Sequence, residues 1–182
     1  MSCVAIHRAV FLDKDGTLVE DVPYNADPAR LVLTRGAVEA VRAFAARGYR
    51  IIVVSNQPGI ALGRFSADAL KAVESRLREL LPRLDGFYYC PHAPHAGCRC
   101  RKPAAGLLER AAREQCIELA ESWMVGDILD DVEAGRRAGC RTVLVDNGNE
   151  TQWEVTPERV PEHIAHDLAE AAALVLEHEV LA

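Results

Sequence analysis

The sequence predicts an α/β fold in which a parallel sheet lies between two layers of helices. Three observations carry this. Short apolar runs recur at residues 9–12, 49–54, 122–125 and 141–145, with the length and composition of buried strands. Stretches with apolar residues at helical spacing separate them, so strands and helices alternate, as right-handed βαβ units require. Two of the runs lead straight into acidic residues, Asp13 after Leu12 and Asp127 after Val125-Gly126. Carboxyl ends of strands are where open α/β sheets bind their ligands.

Taken in order, residues 9–12 form the first strand, and Gly16 lets the chain turn sharply as it leaves the sheet. The polar, proline-containing residues 20–34 form a loop near the mouth of the site. Val38, Val41, Phe44 and Ala45 mark a helix over residues 36–46, with Gly48 at its C-terminal end. Residues 49–54 are the second strand. The Gly/Pro-rich residues 56–65 form a loop, and Ser66 caps a helix that runs to about Leu81. Asp85-Gly86 turns into a short strand at 87–89. A cysteine-rich loop over 90–100 then precedes a helix at 105–115. Strands at 122–125 and 141–145 flank a helix over 130–138 that Gly139 ends, and the Ala/Leu-rich residues 166–177 form a last helix. No repeat, low-complexity segment or linker interrupts this pattern, so residues 1–182 read as a single domain. The connections are too short to hold a separate lid domain.

Composition sets the outer limits. Hydrophobic residues make up 49% and charged residues 26%, ordinary values for a globular chain. A net charge of -6 argues against a nucleic-acid partner, which would need a basic face. It leaves room for an anionic ligand, because a metal ion and local cations can dominate one pocket. The N-terminus lacks the apolar core of a signal peptide, and no apolar run reaches membrane-spanning length, so a cytoplasmic, membrane-free protein is expected. A monomer is the simplest expectation.

Asp13 and Asp15 are too close to coexist as free anions, so the pair requires a cation or a shared proton. The simplest chemistry makes Asp13 a nucleophile and Asp15 an acid/base, with a divalent metal between Asp13 and a phosphate. Asp127 ends another strand and can meet Asp13 across the sheet edge. Asp131, one helical turn on, positions the site; Asp130 reads as favourable charge at a helix N-terminus. Ser55 and Asn56, at a strand end, can donate hydrogen bonds to phosphate oxygens. Lys102 offers a point charge to a phosphoryl group, and Arg101 can fork onto a phosphate or a hydroxyl. Taken alone, each of these residues has an ordinary reading as turn, cap or solvated surface. It is their joint presence that argues for a site.

Cys90, His92, Cys98 and Cys100 offer three sulfurs and one nitrogen, a closed zinc sphere with a structural role. The ion would staple a short polar loop and so aim Arg101 and Lys102. Free thiols, or a Cys98–Cys100 disulfide, are the competing readings, and His95 could substitute for His92. Cys3, Cys116 and Cys140 read as isolated, unreactive side chains. His7, His163, His166 and His178 read as surface residues.

These motifs together resemble the haloacid dehalogenase (HAD) superfamily of aspartate-nucleophile phosphatases. DKDGT is similar to its first motif, Ser55-Asn56 to the second, Lys102 in CRKP to the third, and GDILDD, with Asp127 and Asp131, to the fourth. The cluster CPHAPHAGCRC narrows the resemblance to the branch holding heptose 1,7-bisphosphate 7-phosphatases and histidinol-phosphate phosphatases. The resemblance implies a three-layer, Rossmann-like HAD fold without a cap. It implies a magnesium site formed by Asp13, Asp127 and the carbonyl of Asp15, and a small phosphorylated sugar or amino alcohol as substrate. A phospho-aspartate receiver and a DNA-end phosphatase share parts of the pattern. The receiver lacks a second acid to protonate a leaving group, and the acidic charge disfavours the DNA enzyme. Val19, Pro58, Leu62 and Ile128 stand where the heptose enzymes commonly carry other residues. These departures bear on substrate identity and leave the reaction class untouched.

Overall fold

A computed structural model describes residue 3 and residues 5–181, with side chains to residue 178. Six parallel strands form one sheet: β1 (Ala9–Leu12), β2 (Arg50–Asn56), β3 (Gly86–Cys90), β4 (Trp123–Gly126), β5 (Arg141–Val145) and β6 (His163–Ala165). Their order is β3-β2-β1-β4-β5-β6, so β1 lies inside the sheet between β2 and β4. Leu12 pairs with Val53 on one side and Val125 on the other. That register brings Asp13, Ser55 and Asp127 to one edge of the sheet.

Alternate residues of each strand face opposite layers, as the pleat dictates. Val10, Leu12, Ile51, Val53, Val125 and Val143 pack against α1 (Ala37–Ala46), the end of α2 (Ala67–Leu80) and α5 (Leu168–Leu181). Ala9, Phe11, Ile52, Val54 and Met124 face α3 (Gly106–Gln115) and α4 (Leu129–Ala138). All four residues of β1 are fully buried, which explains a strand that is apolar throughout. Ser66 caps α2 as expected, its Oγ accepting the Ala69 N–H at 3.1 Å. Gly139 ends α4 in the left-handed conformation at φ 85°.

One element is added and two readings are corrected. Residues 163–165, where the sequence predicts no element, form the edge strand β6; a three-residue strand with Ile164 exposed carries no alternation to detect. Cys3 and Cys116, read as isolated, are joined in a disulfide across 113 residues. His7 pairs with the segment after α3, donating to the Cys116 carbonyl and accepting from the Glu118 N–H, and this carries Cys3 to its partner. His163 and His178, read as surface, flank Trp123 with ring centroids 5.8 and 6.0 Å away.

Candidate active site

The site is built on the ends of β1, β2 and β4. The Asp13 N–H donates to the Val125 carbonyl at 3.0 Å, fixing the first acid against β4. One carboxylate oxygen each from Asp13, Asp127 and Asp131 lies within 4.8 Å of the others, and all three residues are buried. Thr17 Oγ1 donates to Asp127 Oδ1 at 3.0 Å, and Asn149 Nδ2 donates to Oδ2 at 2.8 Å. Both oxygens of Asp127 are therefore oriented before any ligand arrives. Asp131 also accepts the Ile128 N–H at 3.3 Å, so the first turn of α4 holds it in place.

Lys102 enters this cluster from the cysteine-rich loop. Its Nζ pairs with Asp13, lies 2.6 Å from Asp131 Oδ1, and donates to the Val54 carbonyl at 2.9 Å. Burial disfavours its charge, but Asp13 and Asp131 outweigh this and hold its pKa above the usual lysine value. Burial pushes Asp13 up to about 7, helped by Asp131 and Asp15 and opposed by Lys102. Burial and the neighbouring Asp13 push Asp127 up to about 6. Asp131 is raised chiefly by burial. Three buried carboxylates share one ammonium, so the donor set is short of positive charge and suits a hard divalent cation.

The other expected residues divide. Ser55 Oγ accepts from Gln57 Nε2 at 2.7 Å at the rim of the cluster. Asn56, expected to face phosphate, is turned to another task. Its Nδ2 donates to the Lys102 carbonyl at 3.1 Å and its Oδ1 accepts the Lys102 N–H at 3.0 Å, clamping the lysine backbone. Arg101 Nη1 is buried and, among the described residues, has no hydrogen-bond partner. A donor in that state is ready for an anion. The Asp15 side chain stands outside the carboxylate trio and accepts from Gln57. Asp131, expected only to position the site, falls inside the trio. Asp130, expected to favour the helix N-terminus, also pairs with Arg159 at 2.5 Å.

Five contributors escaped the sequence reading: Lys14, Thr17, Gln57, Asn147 and Asn149. Asn147 Nδ2 donates to the Gly16 carbonyl at 2.7 Å, tying the loop after β5 to the turn after Asp15. The repeated asparagines at 147 and 149, just beyond a strand end, were the available signal.

Cys90, His92, Cys98 and Cys100 converge as their spacing suggests. His92 Nδ1 lies 3.4 Å from Cys90 Sγ and 3.2 Å from Cys100 Sγ, and the sulfurs lie 3.2 to 3.7 Å apart. Ligands on one tetrahedral zinc at bonds of about 2.0–2.3 Å are separated by comparable distances. Burial pushes the Cys90 thiol up to about 12. Cys98 resists its own small burial and drops to about 7, because the Arg101 N–H and the neighbouring thiols donate to it. His95 lies outside the cluster, and all three thiols are free.

Comparison with known proteins agrees with this geometry. A family model described as "HAD-hyrolase-like" matches residues 99–171. The D-glycero-beta-D-manno-heptose-1,7-bisphosphate 7-phosphatase of Pseudomonas aeruginosa is 33% identical over 173 residues, 92% of this chain and 97% of that protein. Its Pasteurella multocida counterpart is 41% identical over 152 residues, 78% of this chain and 83% of that one. The crystal structure of the D,D-heptose 1,7-bisphosphate phosphatase from B. bronchiseptica, complexed with magnesium and phosphate, superposes with a TM-score of 0.83. It is 29% identical, and the match covers 94% of this chain and 99% of that one. With the carboxylate trio, its buried lysine and the cysteine quartet in place, this chain belongs to the heptose bisphosphate phosphatase family of HAD-like hydrolases.

Proposed function

We propose that this chain is a magnesium-dependent phosphomonoesterase that removes the 7-phosphate of D-glycero-D-manno-heptose 1,7-bisphosphate. The observation that carries this reading is Lys102, held between Asp13 and Asp131 at the strand ends.

Asp13 attacks phosphorus in line. The bond from phosphorus to the sugar oxygen breaks, and that oxygen takes the proton carried by Asp15. Water then attacks the aspartyl-phosphate on Asp13. Asp15 takes its proton back from the water, the Asp13–phosphorus bond breaks, and inorganic phosphate leaves. Lys102 steadies the charge that accumulates on the phosphoryl oxygens, and Arg101 and Ser55 supply further donors. Asp13, Asp127 and the Asp15 carbonyl would hold magnesium, with Asp131 beside them; bound there, the metal neutralises the carboxylates and the phosphate.

Zinc on Cys90, His92, Cys98 and Cys100 would hold the loop that presents Arg101 and Lys102. Thiols that bind metal must stay reduced, which favours a reducing compartment for this loop, while the Cys3–Cys116 disulfide points the other way. Among the described residues no helix is long and apolar enough to cross a membrane.

Phosphate release from heptose 1,7-bisphosphate, histidinol phosphate and a panel of sugar phosphates, with and without magnesium, tests the reading. The heptose ester is expected to lead in kcat/KM with magnesium present. Equal, feeble rates on all esters would overturn the substrate assignment.

A further inference from the structure

The two neighbouring acids of the first motif are held by different sets of groups. Asp13 belongs to the carboxylate trio. Asp15 Oδ1 pairs with the ammonium of Lys14, and its Oδ2 accepts from Gln57 Nε2 at 2.9 Å. We propose that Gln57 and Lys14 are positioning residues for Asp15, fixing its carboxyl group where it exchanges protons with the leaving oxygen and then with water. This rests on the phosphatase reading above and adds to it the pair of residues that aims the acid/base.

Both donors sit in places that need such a role to explain them. Lys14 is completely buried, and a lysine is rarely enclosed without a counter-charge. Its carbonyl accepts the N–H groups of Leu18 and Val19, each at 3.0 Å, so the backbone turn carrying Asp15 is closed on itself. Gln57 is 5% exposed and tied at both ends. Its backbone N–H donates to the Cys90 carbonyl at 2.7 Å, and its Nε2 donates also to Ser55 Oγ at 2.7 Å. Asp15 therefore takes its orientation from β2 and β3 through Gln57, and from its own turn through Lys14. Because the carboxylate oxygen accepts, the amide must present nitrogen to it, so a glutamate of the same shape cannot substitute.

The step served is a proton transfer, and its importance depends on the leaving group. A sugar alkoxide needs the proton; nitrophenolate leaves without it. Gln57→Ala is therefore expected to lower kcat on heptose 1,7-bisphosphate by roughly 10–100-fold, part of the ~10²–10⁴ that a general acid supplies. KM should move much less. The pre-steady-state release of nitrophenolate from p-nitrophenyl phosphate should fall by less than about threefold, because that burst precedes the water step. Gln57→Glu should not restore the loss. In an Asp15→Asn background, Gln57→Ala should remove less than about twofold more, since residues acting through one group are not additive.

Lys14→Met is expected to show the same split between esters. Gln57→Ala keeps the proposal testable if that core variant folds poorly. Equal losses on both esters, or full additivity with Asp15→Asn, would overturn the positioning role while leaving the phosphatase reading intact. A wild-type protein inactive on every ester would instead overturn the phosphatase reading, and this one with it.

Discussion

Lys102 Nζ and Asp131 Oδ1 lie 2.6 Å apart with their side chains 2% and 1% exposed. Asp13 and the Val54 carbonyl accept hydrogen bonds from the same ammonium, and Asp131 adds a second ion pair. The ammonium is thus held by three groups, and Asn56 fixes the lysine backbone as well. Charge placed so firmly is poised for a developing anion without reorganisation.

Removing this cation should therefore affect activity and folding together. Lys102→Met leaves the buried carboxylates without their counter-charge. Breaking a buried pair in this way costs about 3–5 kcal/mol. A kcat loss of at least ~10²-fold is expected, as when one preorganised charge-stabilising donor is deleted. Thermal melts with and without magnesium check it: magnesium should recover part of the lost stability and none of the turnover.

The proposed nucleophile should behave differently. Asp13→Asn keeps the shape of the side chain but removes its charge and the oxygen proposed to attack phosphorus. Turnover should disappear. Metal-free stability should stay within about 1 kcal/mol of wild type or rise, because a crowded buried carboxylate is gone. Calorimetry beside a phosphate-release assay reads both, and retained turnover would exclude Asp13 as the phosphorylated group.

The same crowding gives the metal-free protein a pH dependence. Asp127 moves from its usual 3.8 up to about 6, and Asp13 up to about 7. A carboxyl with a raised folded pKa holds more protons folded than unfolded across that interval. Stability must then fall as pH rises from about 4 to 7, and remain low above it. For Asp127 alone the loss is about 3 kcal/mol. Urea titrations between pH 4 and 8 in a chelating buffer should show this decline. Asp127→Asn should make it shallower, leaving the part due to Asp13, and added magnesium should oppose it at the alkaline end.

Much of this arrangement was legible in the chain because strand ends are marked twice, by apolar runs and by the acids that follow them. Asp13 and Asp127 were found in that way. The clamp that Asn56 makes was not foreseen, because a strand-ending amide reads the same whether it faces phosphate or holds a lysine 46 residues away. Gln57 and Lys14 were missed because pairing with Asp15 depends on how two loops are laid side by side. The Cys3–Cys116 link and β6 are likewise products of tertiary placement, one joining distant segments and the other borrowing its regularity from β5. Residues that act by local periodicity can be read in advance; those that act by completing another residue's valence cannot.

The cysteine quartet offers a test of indirect control. Cys98→Ser removes one of the four proposed zinc ligands from the loop that leads into Arg101 and Lys102. Metal analysis should fall from one zinc per chain toward none, and the loop should become susceptible to proteolysis. Activity should drop by roughly 10–100-fold, the range seen when support around a site is lost. Full activity in protein shown to lack zinc would separate the quartet from the chemistry.

Gly16 offers the sharpest steric test. Its φ is 87°, a conformation that side chains rarely adopt. A Cβ placed there would stand 2.1 Å from Asp127 Oδ2 and 2.6 Å from Asn149 Nδ2. Neither atom can yield freely, because Asp127 is fixed by Thr17 and Asn149 together. Gly16→Ala should therefore cost about 1–3 kcal/mol from backbone strain, with the displacement of Asp127 added to it. Magnesium affinity should fall at the same time, since the displaced carboxylate belongs to the metal-candidate trio. Gly48, also left-handed at φ 81° but with nothing within 4 Å of its would-be Cβ, is the matched control. Gly48→Ala should show the backbone penalty alone, with magnesium titrations unchanged. If both alanine variants lose magnesium affinity equally, the close approach of Gly16 to Asp127 is not what shapes the site.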